Sequence, residues 1–250
     1  MNSLLDGLNK KIAGLYKQRR YKEAMKYAEK ALKICQQTYG YNHLKVASAL
    51  NNLAGIYKAI QDYAKAEPLY HQALKIRQLK LGNNHPEVAN SLNNLAVLFK
   101  TLGDYFEAET KHKQALAIRE KALGPYHLDT AVSLNNLAVL YDSWRKYDKA
   151  EELHKRSLHI IEKVLGPDDP NVATSLNNLA GIYKTQGKYT EAEPIYKRAL
   201  AIRERIYGRN HPGVALILRN LATLYKRAGL IEKAQKYKER AKRIEAASKK

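Results

Sequence analysis

The chain has 250 residues, 45% of them hydrophobic, and its 13 Gly and 7 Pro recur mostly at fixed positions, which argues against a disordered chain. Lysine and arginine exceed aspartate and glutamate by 44 − 24 = 20, a surplus that raises on-rates for acidic partners and says little about the fold. The single cysteine, Cys35, excludes an intramolecular disulfide and favours a reducing compartment.

Membrane and secretory signals are absent from the sequence. No run approaches the roughly 18–20 apolar residues of a membrane span. Met1–Leu8 lacks the basic start and the long apolar stretch of a secretory signal. We therefore expect a cytoplasmic protein.

A four-residue motif, Asn-Asn-Leu-Ala, recurs along the chain at an interval of 42 residues. It begins at Asn51, Asn93, Asn135 and Asn177, and Arg219 replaces the first asparagine of a fifth copy. Self-similarity at a fixed period of this size is typical of stacked-repeat proteins. We predict a single all-α domain over residues 1–250, with six helix-turn-helix repeats at about 1–40, 41–82, 83–124, 125–166, 167–208 and 209–250.

The first repeat departs from the pattern of the others. Its segment Ala13–Lys17 resembles Ala54–Lys58, but Tyr21 follows one residue sooner than Tyr63 does in the second repeat. We therefore expect a shortened turn there. Lys10 and Lys11 stand in place of the asparagine pair. An end repeat is expected to be atypical, because one of its faces has no neighbour.

The later repeats share the same helix signals. A glycine closes each second helix, where it can adopt the left-handed conformation. A histidine or aspartate then stands where an N-cap is expected, in three copies directly before a proline suited to the first helical position. In the third repeat these signals predict a first helix over Pro86–Thr101 and a second over Tyr105–Ala122. The basic segment Ile231–Lys250 is expected to cap the array.

No arrangement of residues indicates catalysis. Four histidines occupy the same position between helices, where capping explains them: His43, His85, His127 and His211. His112 and His154 take a second-helix position that Tyr70 and Tyr196 hold in other repeats, and we interpret them as buried histidines rather than a metal pair. Without a glycine-rich phosphate loop or a nucleophile–base pair, we expect neither an enzyme nor a cofactor or metal.

Helical geometry gives each first helix two faces. At about 100° per residue, Val88, Leu92, Leu95 and Ala96 form one apolar stripe, which we expect to be buried. The second asparagine of each motif lies on the opposite face, beside small side chains, and a row of lysines flanks it. The second asparagines are Asn52, Asn94, Asn136, Asn178 and Asn220, and the lysines are Lys58, Lys100, Lys184 and Lys226, with Asp142 as the exception.

This face suits an extended peptide, because asparagine side chains can both donate to and accept from a peptide backbone. The lysine row favours an acidic peptide. For the second asparagines we favour a binding role over a structural one. For the first asparagines, Asn51, Asn93, Asn135 and Asn177, binding and a structural bridge between adjacent helices stand as equal alternatives.

The unit with Leu-Ala, Tyr, Gly, Tyr, Ala and Ala-Leu resembles the tetratricopeptide repeat, whose usual period is 34 residues. Its longer form here, with Leu-Asn-Asn-Leu-Ala, Ala-Glu-Pro-Leu/Ile-Tyr, Ala-Leu-x-Ile-Arg and Leu-Gly-x-x-His-Pro, resembles the repeat domain of kinesin light chains and their bacterial relatives. The resemblance covers nearly the whole chain. It implies a right-handed superhelical solenoid whose first helices line a concave groove.

In kinesin light chains that groove holds short acidic peptides that contain Trp or Tyr. The resemblance implies that amides would grip the peptide and lysines would attract its acidic residues. By position these are Asn94, Asn136 and Asn178, and Lys58, Lys100 and Lys184. No heptad segment precedes the repeats, so motor function is not expected.

Two other functions remain open. The net charge of +20 suits nucleic-acid binding, with a steep dependence on salt. The residues that would carry it are Lys10, Lys11, Arg19, Arg20, Lys242 and Arg243. The chain could also be a self-associating array or the sensor portion of a larger bacterial protein.

Overall fold

The computed structural model describes residues 2–247. In this part of the chain there are twelve α-helices and no β-strand. They are α1 (Asn2–Lys17), α2 (Tyr21–Tyr39), α3 (Leu44–Ala59), α4 (Tyr63–Leu81), α5 (Pro86–Leu102), α6 (Tyr105–Leu123), α7 (Leu128–Ser143), α8 (Tyr147–Leu165), α9 (Pro170–Thr185), α10 (Tyr189–Tyr207), α11 (Pro212–Arg227) and α12 (Ile231–Ala247). The predicted all-α architecture of six helix pairs is confirmed.

The helices fall into two compact units, Met1–Ala122 and Leu123–Lys250. In the first unit, consecutive helices from α1 to α5 pack against one another, and in the second unit those from α7 to α12 do so. Packing between consecutive elements is the property expected of a stacked-repeat protein. The interpretation of residues 1–250 as one array stays a prediction.

Leucine and alanine of the repeated motif lie in the core. Leu95 and Ala96 of α5 are fully buried, and Leu137 and Ala138 of α7 are 3% and 0% exposed. Each second helix contributes a further buried alanine, such as Ala108 of α6. Small side chains at these positions let helices approach closely, so the predicted apolar stripe is confirmed as the packing face.

The predicted caps are present at five first helices. Each cap side chain accepts a hydrogen bond from the backbone N–H two residues later, at 2.7–3.2 Å. The capping residues are His43, His85, His127, Asp169 and His211. In the four histidines the accepting atom is Nδ1, so the proton of the neutral ring is on Nε2.

The expected shortening of the first turn is wrong. Residues 18–20 join α1 to α2, and residues 60–62 join α3 to α4, so both turns have three residues. The Arg20 N–H donates to the Leu15 carbonyl just as the Asp62 N–H donates to the Tyr57 carbonyl. Leu15 is therefore equivalent to Tyr57 in the structure, whereas the sequence match pairs Tyr16 with Tyr57. The one-residue difference lies within α1 and not in the turn. The ends of α5 and α6 lie one residue beyond the predicted ends, at Leu102 and Leu123.

In the second unit, a tyrosine on a first helix donates a hydrogen bond to a glutamate on the preceding second helix, at two places. Tyr183 donates to Glu151 at 2.9 Å and Tyr225 donates to Glu193 at 2.8 Å. Both bonds span 32 residues. They link one repeat to the next through a charged acceptor, and hydrogen bonds of this kind are stronger than neutral ones.

None of the helices in the described residues combines the length and apolar character that a membrane crossing requires.

Candidate functional site

Asparagines of successive motifs bond to each other between neighbouring first helices. In each bond the second asparagine donates its Nδ2 to the Oδ1 of the first asparagine 43 residues earlier. The pairs are Asn94 with Asn51 at 2.7 Å, Asn178 with Asn135 at 3.1 Å and Asn220 with Asn177 at 2.7 Å. A structural bridge therefore exists for these first asparagines, one of the two roles that the sequence left open.

The second asparagines take part in this bridge, although the sequence favoured binding for them. A projection of one helix places them opposite its own core, but it does not include the neighbouring first helix. Asn52 is exposed, whereas Asn94, Asn136, Asn178 and Asn220 are half-buried. An asparagine side chain has two donor hydrogens and one acceptor oxygen, so a single bridge leaves capacity for a ligand.

Asn93 has a different partner, which the sequence analysis missed. It is 7% exposed, and its Oδ1 lies 2.9 Å from Nδ1 of the buried His112. Burial, with the nearby charge of Lys100, lowers the pKa of His112 to about 4. The ring is therefore neutral at pH 7, and its Nδ1–H donates to Asn93. The spacing of 19 residues between the two gives no local signal of this contact.

The interpretation of His112 and His154 as buried histidines is confirmed. They are 1% and 3% exposed, and burial lowers the pKa of His154, like that of His112, to about 4. Among the described residues, no group of three or more His, Cys, Asp or Glu side chains is placed to hold a metal ion.

Each predicted lysine follows the first motif position of its own helix by seven residues, about two helical turns, and Lys184 lines a cavity with Asn178 and Asn220. Lys58, Lys100 and Lys184 are half-buried, and Lys226 is exposed. Burial lowers the pKa of Lys58, and the charge of Lys100 lowers it further. The pKa of Lys184 is lowered by burial and by Arg227.

These first-helix lysines differ from lysines on the second helices. Lys113, Lys155 and Lys197 each form an ion pair with a glutamate four residues earlier, at 2.5–2.7 Å. Within the part of the chain that the structure covers, no carboxylate lies within 4.0 Å of the ammonium group of Lys58 or Lys100. The face that carries the asparagines therefore has unneutralised positive charge.

The side chain four residues after the first asparagine varies in size with a residue of the second helix. It is small where that residue is large, and larger where that residue is small. A methyl group at Gly55 would lie 3.6 Å from the Tyr70 hydroxyl, and one at Gly181 would lie 3.8 Å from the Tyr196 hydroxyl. Where the smaller histidine replaces tyrosine, valine replaces glycine. These pairs are Val97 with His112 and Val139 with His154. The equivalence of the two histidines to the two tyrosines was predicted from the sequence, but their match to valine or glycine on the first helix was not.

The basic residues that suit nucleic-acid binding belong to different elements. Lys10 and Lys11 are exposed on α1, while Arg20 is ion-paired with Glu23 at 2.7 Å. Arg19 lies in the following turn with a φ of 59°. Lys242 and Arg243 are exposed on α12, in the other unit.

Comparison with known families confirms the resemblance found in the sequence. A family model described as tetratricopeptide repeat matches residues 4–78, 46–121, 87–160, 145–204 and 171–244. A sequence search of curated proteins found no significant match.

Several solved structures share the fold. BtubC (BKLC) from P. vanneervenii is 27% identical over 97% of this chain and 92% of its own, with a TM-score of 0.74. The nearly identical repeats of a putative kinesin light chain from Podosopora anserina are 26% identical over 82% of this chain and 98% of their own, with a TM-score of 0.71. A Rap protein complexed with Competence and Sporulation Factor has 17% identity over 95% of this chain and 73% of its own, with a TM-score of 0.64. The last likeness concerns the fold alone.

Proposed function

Because the chain belongs to the tetratricopeptide repeat family, we propose that it is a non-enzymatic scaffold whose first helices bind a short acidic segment of a partner protein. The family generally mediates protein–protein interaction. The likeness to a Rap protein in complex with Competence and Sporulation Factor supports ligand binding by this fold. The absence of a disulfide partner for the buried Cys35 supports a cytoplasmic site of action.

One observation carries the acidic character of the ligand. Lys58 and Lys100 share a face with the amides of Asn51 and Asn94, and the charge of Lys100 lowers the pKa of Lys58. Two cations near one another without a carboxylate between them repel, and a carboxylate from a ligand relieves that repulsion. Half-burial strengthens the attraction, because screening by solvent is weaker there than at the open surface.

The amides add a grip that tolerates different sequences. Since Asn51 and Asn94 are bonded to each other, their orientation is set before a ligand arrives, which lowers the entropic cost of binding. Each further hydrogen bond adds roughly 0.5–1.5 kcal/mol net, while the ordering of a flexible peptide costs roughly 2–5 kcal/mol. Lysine contacts and an apolar anchor are therefore needed, and we expect a dissociation constant of about 1 μM.

The test uses a short fluorescein-labelled peptide with one tryptophan flanked by aspartate and glutamate. Its control peptide has asparagine and glutamine at the acidic positions. Fluorescence anisotropy should show binding of the acidic peptide alone. The double variant Lys58→Gln/Lys100→Gln should lose about tenfold or more in affinity, with an unchanged circular dichroism spectrum.

Lys65→Gln is the matched control, because Lys65 lies on a second helix and is already paired with Asp62 at 3.0 Å. It should leave the affinity unchanged. Equal loss in both variants, or equal binding of the two peptides, would overturn the proposal. So would tighter binding of a single-stranded oligonucleotide than of the acidic peptide, since non-specific charge would then explain both.

A further inference from the structure

A small cavity lies in the second unit, beside the second asparagines of α9 and α11. It has a volume of about 270 Å³, and Asn178, Gly181, Lys184, Tyr196 and Asn220 contribute to its lining. Small-molecule sites usually occupy roughly 300–1,000 Å³. The cavity is therefore at the small end of this range, and it has room for a side chain of a bound segment.

The hydroxyl of Tyr196 is an unsatisfied donor beside this cavity. The side chain is 0% exposed, and its Oη has no hydrogen-bond partner among the residues that the structure describes. Buried polar atoms without a partner are rare in proteins, and each requires an explanation. The tyrosines at Tyr183 and Tyr225 are satisfied by glutamates, so the position of Tyr196 differs from theirs.

Gly181 leaves this hydroxyl next to the cavity. A methyl group there would stand 3.8 Å from Oη, in van der Waals contact with the hydroxyl, and Gly181 itself contributes to the lining of the cavity. In the preceding repeat, Val139 occupies the equivalent position above His154. The opening over a buried donor thus depends on the missing side chain of Gly181.

The charges around the cavity favour an anion. The Lys184 ammonium group lies 5.7 Å from the centre of the Tyr196 ring, and Arg227 is close enough to act electrostatically on both residues. Asp142 is the carboxylate in the lining. His154, which also lines the cavity, is neutral at pH 7. Two cations and one anion leave a net charge of about +1, which one carboxylate would neutralise.

We propose that this cavity is a specificity subsite that takes one carboxylate side chain of the bound segment, which accepts a hydrogen bond from Tyr196 Oη and pairs with Lys184. The inference rests on the proposed function, since the carboxylate belongs to the acidic ligand. It adds the place at which a single aspartate or glutamate is recognised.

Two variants test the subsite, and each of them should keep or raise the stability of the protein while it weakens peptide binding. Tyr196→Phe removes the unsatisfied hydroxyl, so the Tm should stay the same or rise, while the affinity for the acidic peptide should fall about tenfold. Gly181→Ala improves helix propensity and covers the hydroxyl, so it should also raise the Tm and weaken binding. A purely structural role would lower both quantities together.

Two control variants separate these effects. Gly7→Ala makes the same exchange at an exposed position of α1, where no described atom beyond the adjacent residues and the local helix backbone lies within 4 Å of the added methyl group. It should raise the Tm without a change in affinity. Tyr225→Phe removes a hydroxyl that donates to Glu193, and its Tm should fall.

The contact itself is tested by a cycle in which each acidic residue of the peptide is replaced in turn by its amide. The loss caused by Tyr196→Phe should disappear for one peptide position and persist for the others. If wild type binds the acidic peptide and no position couples to Tyr196, the subsite is overturned while the scaffold function stands. If wild type binds neither peptide, the proposed function fails first.

Discussion

Asn94 donates its side-chain amide to Oδ1 of Asn51 at 2.7 Å, which ties the first helix of the third repeat to that of the second. The two residues hold different positions in the motif, the second and the first asparagine. The motif is therefore completed between repeats rather than within one. A consequence is that an alanine at either position changes stability as well as the candidate binding face.

The asparagine bridge should contribute measurably to stability. Asn51→Ala should lower the free energy of unfolding by about 1 kcal/mol, because a half-buried amide loses its partner. Asn52→Ala is the control, since Asn52 is exposed, and its effect should be within about 0.5 kcal/mol. Urea denaturation followed by circular dichroism measures both.

A double-mutant cycle of Asn51→Ala and Asn94→Ala should give a coupling energy of about 0.5–1.5 kcal/mol. Equal effects of Asn51→Ala and Asn52→Ala, with no coupling, would contradict a structural role for the bridge.

Phe99→Tyr should add a tyrosine–glutamate hydrogen bond of the kind that joins Tyr183 to Glu151. Phe99 lies 32 residues after Glu67 in the sequence, the spacing that joins Tyr183 to Glu151. The added hydroxyl should raise the free energy of unfolding by about 0.5–1 kcal/mol, a modest gain because Glu67 is 42% exposed. Thermal denaturation measures the gain.

The reverse exchange, Tyr183→Phe, serves as the comparison and should lower the Tm. A lower Tm for Phe99→Tyr would mean that its ring, which now packs edge-on against His71 at 6.4 Å, cannot accommodate the hydroxyl.

Acidification should destabilise the protein through His112 and His154. Both have a folded pKa of about 4, below the value of 6.5 in the unfolded chain. The unfolded state therefore takes up protons first, and stability is complete above pH 6.5 and falls as the pH drops towards 4. The loss should reach about 2–3 kcal/mol for each histidine at pH 4.

Urea midpoints measured between pH 7.5 and pH 4.5 follow this loss before most carboxylates titrate. His154→Gln should flatten the profile in this window, because an amide carries no titrating proton. His159→Gln is the matched control, since His159 is exposed on the same helix, and it should leave the profile unchanged. A profile that His154→Gln does not alter would exclude this residue as the cause.

Lys58→Gln should stabilise the free protein while it weakens peptide binding. Burial and Lys100 lower the pKa of Lys58, so the charged form is disfavoured in the fold, and at pH 7 this cost is fully present. Neutralising the residue should raise the free energy of unfolding by about 0.5–1 kcal/mol. Calorimetry without ligand measures the gain, and anisotropy with the acidic peptide measures the loss. A variant that loses stability would show that the stem of Lys58 matters more than its charge.

The sequence by itself determined the features that depend on residues close together in the chain. The repeat period, the capping side chains such as His85, the buried pair Leu95 and Ala96, and the burial of His154 all follow from helical geometry and the period. The caps and the buried pair are signals within one helix or one turn, whereas the period and the burial of His154 follow from the comparison of successive repeats. The bounds of α5 and α6 could therefore be predicted to within one residue at each end.

Only the tertiary structure decided which polar groups meet. Asn94 bonds to Asn51 across a sequence separation of 43 residues, and His112 bonds to Asn93 across 19. Within residues 2–247, the Tyr196 hydroxyl has no hydrogen-bond partner beside Gly181. A helical projection assigns a side chain to a face, but it does not include the neighbouring helix that covers part of that face. Hydrogen bonding depends on distances of about 3 Å between separate helices, and these distances arise from packing rather than from periodicity.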